Sequence, residues 1–126
     1  MARKVRTKHE YYVLDDEKRP IPVDMMSWAR MFEDARKRVV SKTQIGNSCE
    51  VSTVFLGLDH RYFGDGPPLL FETLVFGGPL KDEMLRYSSW DDAVVGHLTM
   101  VRRVEKAVEE ADKKMRPKVQ PRDLDL

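Results

Sequence analysis

The sequence predicts an α+β fold, a small antiparallel sheet of about four to five strands packed by two α-helices over about residues 24–40 and 89–112. Three observations carry the prediction. Two runs, Glu50 to Leu58 and Leu69 to Gly77, concentrate β-branched and aromatic residues between turn-forming glycines and prolines. Two other segments repeat apolar residues at helical spacing. The chain has 126 residues, 41% of them hydrophobic, which suits one core and leaves little material for a second domain.

The elements follow in chain order. Residues 1–10, with Arg3, Lys4, Arg6 and Lys8, carry too little apolar surface to offset the entropy of ordering, so a flexible basic arm is expected there. A single domain is expected over 11–114. Tyr11 to Leu14 and Pro20 to Val23 flank the polar run Asp15 to Arg19 and read as a hairpin, with Pro20 and Pro22 confining its second half to an edge. Asp24 then stands before Met25, Trp28, Ala29, Phe32 and Val39, a helical stripe opposed by Arg30, Glu33, Asp34, Lys37 and Arg38. Its carboxylate is placed to accept first-turn amides, and the basic end Arg36 to Arg38 complements the helix dipole.

Lys42 to Ile45 reads as a short strand ended by the turn signal Gly46-Asn47-Ser48. The two strong strands come next, joined by the Gly- and Pro-rich connection Asp59 to Pro68. Paired symmetrically about that connection, Ser52, Val54, Leu56 and Leu58 share a face with Leu69, Phe71, Thr73 and Val75. The other face then holds Val51, Thr53, Phe55, Leu70, Glu72, Leu74 and Phe76. Both faces are apolar enough to require cover, by a helix or by a second copy of the chain, so a homodimer is expected. Met84 to Tyr87 reads as an edge strand. Ser89 with Asp92 resembles a capping box, and Trp90, Ala93, Val94, His97, Val101, Val104 and Val108 continue as the longest helix. Residues 115–126, with two prolines and no apolar period, read as a flexible tail.

Charge and cysteine usage exclude several classes. The 22 Lys and Arg nearly balance 21 Asp and Glu, so no global field draws nucleic acid or an anionic membrane. Cys49 is the only cysteine, which excludes an internal disulfide, suits a reducing compartment and reads as a buried free thiol. Neither a signal-type apolar core nor a membrane-length run is present, and a cytoplasmic location is expected.

Chemistry-bearing residues gather in the connection 59–68, where Asp59, His60 and Arg61 place an acid, an imidazole and a guanidinium at the end of a strand. Glu72 is a carboxylate on a largely apolar face, a group usually paired, solvated at a rim or functional. His97 lies on the apolar stripe of the last helix beside Gly96, whose missing side chain implies that something packs close. Arg102 and Arg103, with Lys106, could take an anion, although Glu105, Glu109 and Glu110 share that helix. Ligand or partner binding is therefore expected at Asp59, His60, Arg61, Glu72, His97 and Arg102. No catalytic residue, metal or cofactor is assigned, because zinc sites commonly take more converging ligands and the glycines fit no phosphate-cradling spacing.

Four stretches carry a resemblance. Trp28-Ala29-Arg30 with Phe32-Glu33, the run Val51 to His60, Leu70 to Thr73 with Val75 to Gly78, and Gly96-His97 are similar to a group of small uncharacterised proteins of tailed-phage and prophage genomes. The likeness spans residues 11–104. It implies a phage setting and a host cytoplasm, and it transfers no catalytic residue. The expectation is a small accessory protein acting by stoichiometric binding, a counter-defence factor that blocks a host protein complex or sequesters a nucleotide signal. One alternative is a small hydrolase, with or without a metal, using Asp59, His60, Glu72 and His97. The other is a structural dimer that bridges phage proteins.

Overall fold

The computed structural model describes residues 9–115. The arm expected at 1–10 and the tail expected at 115–126 lie outside the described residues, apart from His9, Glu10 and Met115. A two-stranded hairpin of β1 (Tyr12–Leu14) and β2 (Pro20–Pro22) opens the fold. Asp15 makes its turn by accepting the amides of Glu17 at 2.9 Å and Arg19 at 2.8 Å, and these bonds to the charged form, that from Arg19 foremost, lower its pKa. Asp24 caps α1 (Met25–Glu33) as expected, accepting the Ser27 amide at 2.7 Å.

The first helix is shorter than the expected span of 24–40. Asp34 leaves the helical region at φ −90°, ψ 99° and its carboxylate accepts the Arg36 amide at 3.0 Å, starting the short α2 (Ala35–Arg38). An aspartate can offer the backbone this alternative to helix continuation. The β-branched Val39 and Val40 then enter β3 (Val39–Ile45), a longer strand than the Lys42 to Ile45 expected from the sequence. The strands β4 (Cys49–Phe55), β5 (Phe71–Phe76) and β6 (Met84–Tyr87) complete a four-stranded antiparallel sheet in the order β3-β4-β5-β6. Ser89 Oγ accepts the Asp92 amide at 3.1 Å and caps α3 (Trp90–Met115).

The register corrects the expected faces by one residue. Val51 stands opposite Val75, Thr53 opposite Thr73 and Phe55 opposite Phe71, so these six share a face. Glu50, Ser52 and Val54 share the other with Glu72, Leu74 and Phe76. The cause lies at the end of β4, where the amides of Leu56 and Gly57 both donate to the Leu70 carbonyl, at 2.7 and 3.4 Å. Two residues opposing one is a bulge, and one inserted residue moves every side chain of a strand to the opposite face. Gly57 takes φ 68° there, and a Cβ at this position would collide with the Tyr12 carbonyl and the Trp28 indole. Trp28 fixes the bulge further by donating from Nε1 to the Leu56 carbonyl at 3.0 Å.

Among the described residues the core lies against one face only. At one end Phe55 and Phe71 pack with Tyr12, Met31, Leu70 and Ala93, which brings the hairpin, α1 and the start of α3 together. At the other end Val51 and Val75 pack with Cys49 and with Met100, Val101 and Val104 of α3. Both clusters draw their β4 and β5 residues from this inner face. The outer face carries the ion pairs Lys42–Glu50 at 3.8 Å and Arg86–Glu72 at 3.1 Å, beside a half-exposed Phe76. Among the described residues no helix is long and apolar enough to cross a membrane.

Candidate functional site

The connection between β4 and β5 is a clasped loop. Asp59 Oδ1 accepts the amides of Arg61 at 2.8 Å and Leu69 at 3.0 Å, tying the start of the loop to its end. The His60 amide donates to the Leu69 carbonyl at 3.0 Å, and His60 Nδ1 donates to the Leu58 carbonyl at 2.8 Å. Arg61 spans the loop, donating from Nε to the Pro67 carbonyl at 2.7 Å, and its guanidinium lies so close to Gly66 that any Cβ there would clash. Asp59, His60 and Arg61 are thus brought together, but as the frame of the loop. Tyr62, whose ring lies 6.1 Å from that of His60, and Phe63 are 69% and 90% exposed.

The other expected site residues are dispersed. Glu72 lies on the outer face, bonded to Arg86 Nε at 3.1 Å. His97 is 1% exposed on the inner side of the same sheet. Its Nδ1 meets Thr53 Oγ1 at 2.7 Å and its Nε2 meets Thr43 Oγ1 at 2.8 Å, while Thr53 Oγ1 also bonds Thr73 Oγ1 at 2.6 Å. Burial lowers the His97 pKa and favours the neutral ring, which donates from one nitrogen and accepts at the other. The four side chains satisfy one another in a polar seam between the two apolar clusters. Arg102 is exposed on α3, with no ion-pair partner among the described residues.

Asp59, His60, Glu72 and His97 therefore do not converge on one reacting atom. Among the described residues no three His, Cys, Asp or Glu side chains group to hold a metal ion. Cys49 is buried, as expected, with its sulfur against Gly78. Gly96 answers to close packing: a Cβ there would enter the ring of Tyr87.

Two features were missed in the sequence. Tyr62 and Phe63 lie inside the segment singled out for its polar residues, and a pair of consecutive aromatics in a Gly- and Pro-rich loop was the signal that could have found them. The second is a cleft between the hairpin, α1 and α2, rimmed by Lys18, Arg30 and Lys37 over a floor that includes Val13, Met31 and Phe55. Arg30 and Lys37 share the polar face of the expected first helix, but no sequence spacing links them to Lys18 of the hairpin. No protein-family model, curated protein or solved structure matches this chain.

Proposed function

We propose that this chain is a small accessory protein of the phage type that acts by stoichiometric binding, blocking a partner protein through the loop 59–68. The exposure of Phe63, 90% at the tip of that loop, carries the reading. An aromatic ring held in water forgoes about 1.5–3 kcal/mol that burial would return. A slack loop would let the ring fold back, whereas the Asp59 clasp and the Arg61 span hold this one open. Tyrosine beside it adds a rigid surface with a polar end, the kind of residue on which binding hot spots are built. The separation of Glu72 from His97 by the sheet favours binding over hydrolysis. The phage setting and the host cytoplasm rest on the resemblance of the strand and loop motifs alone.

Immobilised wild-type chain and the Phe63→Ser variant, exposed to lysate of a bacterial host, test the proposal. A defined protein held by the wild type and lost, or weakened by at least about tenfold, in Phe63→Ser is the expected result. Identical captured proteins from both, with the variant folded, would overturn it.

A second reading has its own support. Phe76 and Met84 on the outer face are 49% and 42% exposed beside the half-buried Val54 and Leu74, so two copies stacking these faces would make a structural dimer.

A further inference from the structure

The cleft behind the hairpin is separate from the aromatic loop. Its volume is about 580 Å³, inside the range of roughly 300–1,000 Å³ common for small-ligand pockets. Lys18, Arg30 and Lys37 line it together with apolar side chains and Ser27, and among the described residues no carboxylate does. Three nearby aspartates accept backbone amides, Asp15 those of Glu17 and Arg19, Asp24 that of Ser27 and Asp34 that of Arg36, and Asp15 and Asp34 also pair with Arg19 and Arg36. The charge of Arg30 does reach Asp24, where it adds to the stronger effect of the Ser27 amide. Among the described residues none of the three rim cations forms an ion pair.

Lys18 is the most informative of them. It sits at φ 65°, a left-handed conformation that residues with a Cβ rarely adopt and that a turn normally gives to glycine or asparagine. Its ammonium lies 5.0 Å from the centroid of the Trp90 ring, a contact outside the cleft lining that a more strongly charged ligand would compete with. The hairpin turn imposes the left-handed conformation, the Lys18 amide donating to the Asp15 carbonyl at 3.0 Å, and so sets the lysine on the cleft.

We infer that this cleft binds a phosphorylated small molecule of nucleotide size. Its phosphoryl group is held by Lys18, Arg30 and Lys37, and its ring-bearing body lies on the floor of Val13, Met31 and Phe55. Three cations exceed the single charge of a carboxylate and match a dianionic monophosphate or a trianionic diphosphate, for which the arginine fork supplies paired donors. The apolar floor would be idle for inorganic phosphate or pyrophosphate alone.

Calorimetric titration of the full chain with ADP, GDP and CDP, with adenosine, and with pyrophosphate tests the inference. Saturable binding of at least one nucleotide below about 100 μM is expected, weakening as salt rises. Adenosine and pyrophosphate should each bind at least about tenfold more weakly, and Arg30→Gln and Lys37→Gln should each lose about tenfold or more. Lys18→Gly relieves the left-handed strain, so it should keep its melting temperature while losing affinity. The inference is overturned if no nucleotide binds saturably up to about 1 mM, if pyrophosphate binds as tightly as the nucleotides, or if the rim variants bind undiminished. Phe63→Ser should bind the nucleotide like the wild type, so a failure of the partner-blocking reading leaves this result unchanged.

Discussion

The same four strands build two unlike faces. On the inner side Phe55, Phe71, Val51 and Val75 are sealed beneath the helices together with Thr53, Thr73 and His97, and the half-buried Thr43 completes their hydrogen bonds. On the outer side Glu72 and Arg86 pair within reach of water, and Phe76 remains half exposed. The contrast separates two jobs. The sealed side specifies the register, because a sliding strand would strand a buried hydroxyl without its partner. Loop 59–68 departs from the bulge at the end of the sheet, where side chains no longer have to meet the core.

The largest expected effect breaks the sealed side. His97→Ala removes a packed ring and leaves the hydroxyls of Thr43 and Thr53 without their imidazole, so unfolding free energy should fall by about 3 kcal/mol in urea titration. A loss below about 1 kcal/mol would mean that water reaches the seam. The next effect sharpens the same point through pH. Burial lowers the pKa of native His97 from its ordinary 6.5, so on acidification the unfolded chain takes up this proton before the folded chain does. Stability should therefore be fully present above about pH 7.5 and should fall as pH drops through 6.5 toward the lowered native value, by at most about 1.4 kcal/mol per pH unit. Because the bonded neighbours of His97 are hydroxyls, comparing wild type with His97→Gln in paired urea titrations at each pH isolates the slope. Equal slopes in the two would contradict a neutral, sealed imidazole.

How much of this was legible in the sequence depended on where the deciding contacts lie. The caps Asp24 and Ser89 and the edge strand Met84–Tyr87 are local, and each formed where the residues placed it. The end of the first helix was missed because Asp34 has both helical and capping options, and pairing of Val39 with Val54 across the sheet decides between them. The faces were exchanged because the bulge at Leu56 and Gly57 depends on Tyr12 and Trp28, which are remote in sequence and supply the walls that only glycine fits. The loop 59–68 was singled out for its polar residues, and the structure shows those residues framing it. An acid, an imidazole and a guanidinium look like chemistry in a sequence, but a loop must also satisfy its own backbone, and Asp59, His60 and Arg61 do that. The cleft could not be read locally, since Lys18 comes to line it with Arg30 and Lys37 only when the hairpin folds against the helices.

The smallest expected effect on stability is also the one that decides between a free outer face and a shared one. Phe76 stands opposite Glu50 on the pairing of β5 with β4 and is 49% exposed, so Phe76→Ser surrenders a modest burial and should cost no more than about 1 kcal/mol. Its effect on association is a different quantity. Two copies stacked face to face would each bury Phe76, Met84 and Leu74, and serine at the centre of that contact would leave a hydroxyl without water or partner. Sedimentation equilibrium of the wild type and Phe76→Ser should then show a dimer that the variant loses while its urea midpoint barely moves. A wild type that sediments as a monomer up to about 100 μM would remove the dimer reading. The apolar patch would then be ordinary exposed sheet surface, tolerated because the flanking Lys42–Glu50 and Arg86–Glu72 pairs keep other sheets from docking there.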